Sequence, residues 1–293
     1  MTDSIKRVGV VGAGQMGRGI AQVAAATGLS VVLSDASLEL AEKGKEKIGK
    51  VLSRQVDKGK MTAEDREALL GRITPVDGPA AFGDVDLAVE AATERFDLKV
   101  KIFQALDETL KDGALLASNT SSISITKLAA TTKRPALVVG MHFMNPVPLM
   151  ALCEVVRGVQ TSEATYTATK ALAEKMGKTV ITSNDAPGFI VNRMLIPLLN
   201  EAIFTLQEGV AEPDDIDNGA KLGLNHPMGP LELSDLIGLD TVLSIAEVLY
   251  HEIGDPKYRP ATLLRNYVAA GWLGRKSGRG FYRYDERGKR VVG

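Results

Sequence analysis

Cysteine is almost missing from this 293-residue chain, with Cys153 its only instance. A lone thiol excludes an intramolecular disulfide framework and any zinc site built from several cysteines. An excess of either charge is missing too, because 35 lysines and arginines nearly cancel 36 aspartates and glutamates for a net charge of −1. That balance argues against a protein whose task is to coat nucleic acid or an anionic membrane. No apolar run approaches the roughly 18 residues that a membrane helix needs. The opening Met1-Thr2-Asp3-Ser4 leads into an apolar stretch too brief for a signal-peptide core. Internal repeats and low-complexity linkers are likewise absent. The expectation is a soluble, cytoplasmic protein without a nucleic-acid or membrane partner and without a metal.

What remains is ordinary globular composition, 45% hydrophobic and 24% charged. The length suggests two domains, and size scaling puts about 70–75% of the unfolded surface out of water. Val8-Gly9-Val10-Val11 reads as a strand and runs straight into Gly12-Ala13-Gly14-Gln15-Met16-Gly17. A small-residue helix follows from Ile20, then a second β-branched run, Val31-Val32-Leu33, ending at Ser34-Asp35. Residues from Ser37 to about Leu70 are helical and charged. Further strands are expected at Leu87–Glu90, Leu115–Ala117, Leu137–Met141 and Val180-Ile181, with a helix over Leu98–Leu110. Strands alternating with helices imply an open parallel sheet; a strand over Ala151–Val156 fits that sheet in either direction. Beyond Asp185-Ala186-Pro187-Gly188, apolar residues from Ile190 to Leu206 recur at helical spacing, with Pro197 expected to kink the helix and Gly209 to stop it. Helices over Pro230–Tyr250 and Pro260–Ala270 complete the reading. The expected fold is therefore an α/β, Rossmann-type dinucleotide-binding domain over residues 1–185, followed by an all-helical domain over 186–293.

The G-x-G-x-x-G run gains meaning from its context. The first glycine permits a tight turn, the second lets backbone approach a pyrophosphate, and the third lets helix and strand pack closely. The phosphates would meet a helix N-terminus, where free N–H groups favour negative charge. Asp35, 18 residues past Gly17, stands where an acid accepts from the adenosine ribose hydroxyls. Such an acid repels a 2′-phosphate, and neither Ala36 nor Ser37 supplies a cation, so NAD is favoured although NADP is not barred.

Three histidines are present, and His142 closes the apolar run that starts at Leu137. The carboxyl end of a strand in such a sheet faces the ligand crevice, where an imidazole exchanges protons near neutral pH; a structural histidine bonded to backbone is the alternative. Glu154 interrupts Ala151-Leu152-Cys153 and Val155-Val156, where an unpaired carboxylate is expensive to bury. A histidine partner would relieve that cost and fix the tautomer, whereas an edge position would leave the glutamate in water. Ser118-Asn119-Thr120-Ser121-Ser122 follows another strand at the crevice end, as helix caps, as ligand contacts or as both. Asn192 lies one turn inside an apolar helix and is either exposed or partnered.

These segments together resemble the L-3-hydroxyacyl-CoA dehydrogenases, above all the short bacterial members that act on 3-hydroxybutyryl-CoA. The likeness rests on Gly12–Gly17, Ser118–Ser122, Gly140-Met141-His142-Phe143-Met144-Asn145-Pro146-Val147-Pro148 and Asp185–Arg193, and continues through Pro227–Pro230 and Gly278-Arg279-Gly280-Phe281-Tyr282. It implies NAD-dependent interconversion of a short-chain L-3-hydroxyacyl-CoA, such as (S)-3-hydroxybutyryl-CoA, and its 3-ketoacyl-CoA, such as acetoacetyl-CoA. In that reading His142 is the general acid/base, Glu154 orients it, and Ser121 and Asn192 assist at the substrate oxygen. The implied cofactor contacts are Gly12, Gly14, Gln15, Met16, Gly17, Asp35, Glu94, Lys99, Asn119, Asn145 and Lys276. The implied assembly is a homodimer formed through the helical domain. Arg95 departs from the asparagine that many relatives carry after the residue matching Glu94.

Lys43, Lys47, Lys50 and Arg54 fall three or four apart and form a basic stripe on one helical face. Such a stripe could meet the phosphates of a CoA thioester, with Lys50 and Arg54 singled out by the resemblance, or could be a solvated face with Glu42 and Glu46 nearby. The rival activities are an L-gulonate 3-dehydrogenase-like sugar-acid oxidoreductase and a non-catalytic, crystallin-like NAD-binding protein. The characteristic catalytic segments of 6-phosphogluconate and UDP-sugar dehydrogenases are not found.

Overall fold

The computed structural model describes residues 5–291, so the expectation about Met1–Ser4 lies outside the described residues. The chain divides after Ala186 into two compact units.

The first unit is built on one eight-stranded sheet. Its strands are β1 (Arg7–Val11), β2 (Ser30–Asp35), β3 (Ile73–Asp77), β4 (Leu87–Glu90), β5 (Leu115–Ser118), β6 (Val138–Phe143), β7 (Leu152–Arg157) and β8 (Thr179–Asn184). They lie in the order β3-β2-β1-β4-β5-β6-β7-β8. Every neighbouring pair is parallel except β6 and β7, which are antiparallel. The α-helices of this unit among the described residues are α1 (Gln15–Ala26), α2 (Leu38–Asp57), α3 (Ala63–Gly71), α4 (Phe96–Thr109), α5 (Ile125–Ala129) and α6 (Glu163–Lys175). Strand order reverses at β1, so the carboxyl ends of β1 and β4 open the crevice in which such sheets bind ligands.

The sheet strands read as near-continuous apolar runs because both faces are covered. Val8, Val10, Leu33, Leu87, Val89, Val139 and Met141 are fully buried, each side chain stabilising the fold by about 1.5–3 kcal/mol relative to exposure. Side-chain oxygens start most of the helices. Ser37, Thr62, Ser124 and Ser162 accept from the amides of Leu40, Asp65, Lys127 and Thr165 to cap α2, α3, α5 and α6. The turn before α1 differs, because Gly14 occupies the cap position and offers no side chain.

Two local expectations need correction here. Strand β3 was not anticipated, because Ile73-Thr74-Pro75-Val76-Asp77 carries a proline. As the edge strand it tolerates Pro75, whose missing N–H costs no ladder bond on the outer side. The strand bearing His142 also starts one residue later than Leu137 and continues through Phe143, which pairs with Cys153.

The second unit comprises α7 (Val191–Gln207), α8 (Pro213–Asn218), α9 (Pro230–Ile237), α10 (Leu239–Ile253) and α11 (Thr262–Ala269). Helix α7 continues through Pro197, and Gly209 follows its end at φ +69°. The single helix expected over Pro230–Tyr250 is two, divided at Gly238, whose φ of +102° no helix accepts. Ile196, Leu199, Ile203, Leu231, Leu239, Val242, Leu249 and Leu264 form its core. Two buried aspartates tie the closing segment to the helices. Asp217 accepts from Leu231 N, Glu232 N and Tyr282 Oη at 2.8–3.0 Å. Asp235 accepts from Phe281 N, Tyr282 N and Tyr284 Oη at 2.9–3.0 Å. The Gly278–Tyr282 motif is thus structural in this unit. Burial pushes the pKa of Asp235 above the usual carboxylate range, despite those three donors.

Among the described residues, no helix is long and apolar enough to cross a membrane.

Candidate active site

The glycine loop leaves β1 under tight steric control. Gly12 has φ +102°, and a Cβ there would lie 2.6 Å from the Ala91 carbonyl oxygen. A Cβ on Gly17 would lie 1.7 Å from the Gly12 carbonyl oxygen. Gly14 is the opposite case: it is exposed, and a Cβ would meet nothing within 4 Å. The loop is therefore packed from behind and open in front, with the uncapped start of α1 beside Gly14, Gln15 and Met16. That is the cradle a pyrophosphate needs. Asp35 ends β2 next to this loop, where its Oδ2 accepts from Ala13 N at 2.6 Å and its Oδ1 from Ala36 N at 2.7 Å. Each oxygen keeps lone-pair capacity for a ribose diol.

A second cluster lies at the carboxyl ends of β4 and β5. Glu90, fully buried, accepts from Ala92 N at 2.7 Å and Lys99 Nζ at 2.6 Å on Oε1, and from Ser118 Oγ at 2.6 Å on Oε2. Lys99 is 1% exposed and also bonds Ala92 O at 3.3 Å and Glu94 Oε2 at 3.3 Å. Glu94 Oε1 in turn accepts from the Thr120 hydroxyl at 2.5 Å, Ser121 N at 2.9 Å, Ser122 N at 3.1 Å and the two serine hydroxyls at 3.1–3.3 Å. Burial alone would raise the pKa of Glu94. Lys99 and the donors from Thr120 and Ser121 outweigh it and hold the carboxyl below its usual range. Lys99 thus stands behind Glu94, joined to it and to Glu90, rather than on an open surface. Glu90 escaped the sequence reading, although it carries the signal that exposed Glu154: an acid at the end of an apolar strand, affordable only with partners.

His142 and Glu154 are direct cross-strand partners in the antiparallel β6–β7 register. His142 Nδ1 lies 2.6 Å from Glu154 Oε2, with the glutamate at 0% and the histidine at 7% exposure. The edge-strand alternative for Glu154 is overturned, since β8 covers β7 on its outer side. A carboxylate at that distance accepts from Nδ1–H and so fixes the tautomer and the orientation of the ring. Asn119 links the strands alongside, its Oδ1 accepting from Phe143 N at 3.0 Å. Asn145, just past β6, accepts from Gln15 Nε2 of the glycine loop at 2.9 Å.

The first unit therefore gathers the glycine loop, Asp35, Glu94, Lys99, Asn119, Ser121, His142, Asn145 and Glu154 on one edge of one sheet. Asn192 and Lys276 belong to the second unit. Asn192 sits in the first turn of α7 at 7% exposure, which removes the exposed alternative. Lys276 pairs with Asp240 at 2.5 Å. Lys47, Lys50 and Arg54 are exposed on α2, opposite its buried Ala41, Ile48 and Leu52, and Lys43 on the same face pairs with Glu39.

Residues 7–186 match the 3-hydroxyacyl-CoA dehydrogenase NAD binding domain, and residues 188–284 match the C-terminal domain of the same family. A 3-hydroxybutyryl-CoA dehydrogenase of Bradyrhizobium diazoefficiens is 53% identical over 292 residues, covering 100% of this chain and 99% of that protein. A probable 3-hydroxybutyryl-CoA dehydrogenase of Bacillus subtilis is 53% identical over 283 residues, covering 97% and 99%. The crystal structure of (S)-3-hydroxybutyryl-CoA dehydrogenase from Ralstonia eutropha superposes with a TM-score of 0.94 at 53% identity, covering 97% of this chain and 100% of that one.

Proposed function

The chain belongs to the 3-hydroxyacyl-CoA dehydrogenase family, and from that membership we propose that it interconverts (S)-3-hydroxybutyryl-CoA, or another short-chain L-3-hydroxyacyl-CoA, and the matching 3-ketoacyl-CoA, with NAD. The observation that carries the catalytic part is the 2.6 Å contact between His142 Nδ1 and Glu154 Oε2 at the crevice end of β6.

NAD, when bound, supplies the nicotinamide C4 that accepts the hydride from substrate C3. In that direction His142 takes the proton of the 3-hydroxyl; in reduction the imidazolium returns it to the forming alkoxide. Glu154 keeps Nδ1 protonated and balances the charge that His142 gains. Ser121 and Asn192 donate to the substrate oxygen as negative charge develops. The Ser121 hydroxyl bonds Glu94 at 3.3 Å, longer than the 2.9 Å bond from its own amide, so it is the contact more readily exchanged for substrate. The cofactor would lie on Gly12, Gly14, Gln15, Met16 and Gly17, with its adenosine ribose at Asp35 and its nicotinamide end toward Glu94, Asn119 and Asn145. Lys99 acts through Glu94 in this arrangement, and Lys276 is a further cofactor contact that the family likeness implies. Lys50 and Arg54 would meet CoA phosphates. A homodimer through the helical unit is supported by Met194, 65% exposed, and Leu198, 39% exposed, on α7.

The test is NADH oxidation by the pure protein with acetoacetyl-CoA, beside free acetoacetate and with NADPH in parallel. The reading expects rapid loss of NADH with the thioester alone. Turnover of L-gulonate with NAD and silence with acetoacetyl-CoA would move the chain to sugar-acid chemistry. Silence with every substrate while NADH still binds would make it a binding protein.

A further inference from the structure

Residues 144–151 join β6 to β7 without a helix or strand of their own. Such a loop needs fixing, because it carries Asn145 toward the glycine loop and leaves β6 just past His142. Two features hold it. Val147, 2% exposed, nests on α1 at Gly19, where a Cβ would lie 2.7 Å from the Val147 Cβ. Within the loop, Leu149 N and Met150 N both donate to Pro146 O at 3.0 Å. The Val147 and Met150 carbonyls accept from Lys178 Nζ, at 2.5 and 2.8 Å. Lys178 is 7% exposed and stands between α6 and β8, with its own amide donating to Ala173 O at 3.1 Å. Its ammonium bonds go to backbone carbonyls and not to a carboxylate, so this buried cation serves the course of the chain. The mechanism above gives it no role.

We propose that Lys178 is a positioning residue for the cofactor pocket: by holding the Val147 and Met150 carbonyls it seats the loop on α1 and presents Asn145 to Gln15 of the glycine loop. This rests on the proposed cofactor contact of Asn145. A methionine at 178 fills the stem's space but leaves both carbonyls without their donor. The loop would then lose one of its two anchors, and the loss would fall on NADH binding and not on the proton-transfer pair in β6 and β7.

The experiment compares NADH dissociation constants, kcat and the KM for acetoacetyl-CoA in the intact wild type, K178M, K178R, N145A and the K178M/N145A double variant. K178M is expected to weaken NADH binding about tenfold, the coupling typical of residues sharing one network, with kcat at saturating NADH within about twofold. K178R, which keeps the charge and the donors, restores most of the affinity. The double variant binds NADH about as weakly as N145A alone, because once the Asn145 contact is gone the seating of its loop has nothing left to present. If K178M does not fold, K178Q serves instead; it reaches one carbonyl at most and should lose part of the affinity with the same split. Normal NADH affinity in folded K178M or K178Q, beside a weakened N145A, would overturn the role of Lys178 and leave that of Asn145 standing. Strict additivity would overturn the route through the loop. Normal affinity in N145A would overturn the Asn145 contact and the proposal with it.

Discussion

Two buried carboxylates at the same edge of the sheet, Glu154 and Glu90, solve one problem in different ways. Both are at 0% exposure, where an unpaired charge could not stay. Glu90 is surrounded by a backbone amide, a serine hydroxyl and the ammonium of Lys99, so both its oxygens serve the framework. Glu154 faces an imidazole across an antiparallel register, the group that the proposed mechanism uses to move one proton. A buried acid beside lysine fixes loops; a buried acid beside histidine supports proton transfer. The first braces the crevice through Glu94 and Ser121; the second is the pair to which the proposed mechanism gives the proton transfer.

Breaking each pair should separate these roles. The largest effect is expected for K99M, which leaves Glu90 without its cation and should destabilise the protein by about 3–5 kcal/mol, measured by urea unfolding at pH 7. Adding E90Q to K99M should recover much of that loss, since removing both charges is far cheaper than removing one. E154Q should leave the unfolding midpoint nearly unchanged yet lower kcat by about a hundredfold or more, because an amide at that position presents the wrong hydrogen to Nδ1. Equal damage to stability and turnover in both variants would collapse the distinction.

A smaller effect concerns Glu94. Its pKa is held below the ordinary 4.5, so it adds stability that is present above that value and lost as pH falls through its folded pKa. The stability gap between wild type and E94Q should therefore narrow on acidification below pH 4.5, read from melting curves across that range; a constant gap would show that Glu94 carries no linked proton. The smallest effect concerns Cys153, which neighbours Glu154. Burial pushes its thiol up to about 12, against the opposing pull of Lys178. Native protein should resist iodoacetamide at pH 8, while unfolded protein should react; rapid labelling of the native form would mean that the β6–β7 region opens.

The elements that were legible in the sequence are those whose signal is local. The glycine loop, its flanking strands and Asp35 follow from spacing alone, and Glu154 stands out as an acid within an apolar strand. The pairing of Glu154 with His142 was open in the sequence because it depends on strand direction; the antiparallel turn after Phe143 sets the two residues opposite each other. Strand β3 was hidden by Pro75, which an edge position tolerates. The break at Gly238 was hidden by apolar periodicity that continues across it. Glu90 and Lys178 were missed for a different reason. The partners of Glu90 are a backbone amide, Lys99 on α4 and Ser118 on β5, and those of Lys178 are two loop carbonyls, so only the fold brings them together.

The central claim is that His142 exchanges the substrate proton and that Glu154 supports it. H142Q tests it most directly, through kcat for acetoacetyl-CoA reduction measured beside the NADH dissociation constant. Turnover should fall by about 10²–10⁴ while NADH affinity stays near that of the wild type. Near-normal turnover in H142Q would contradict it.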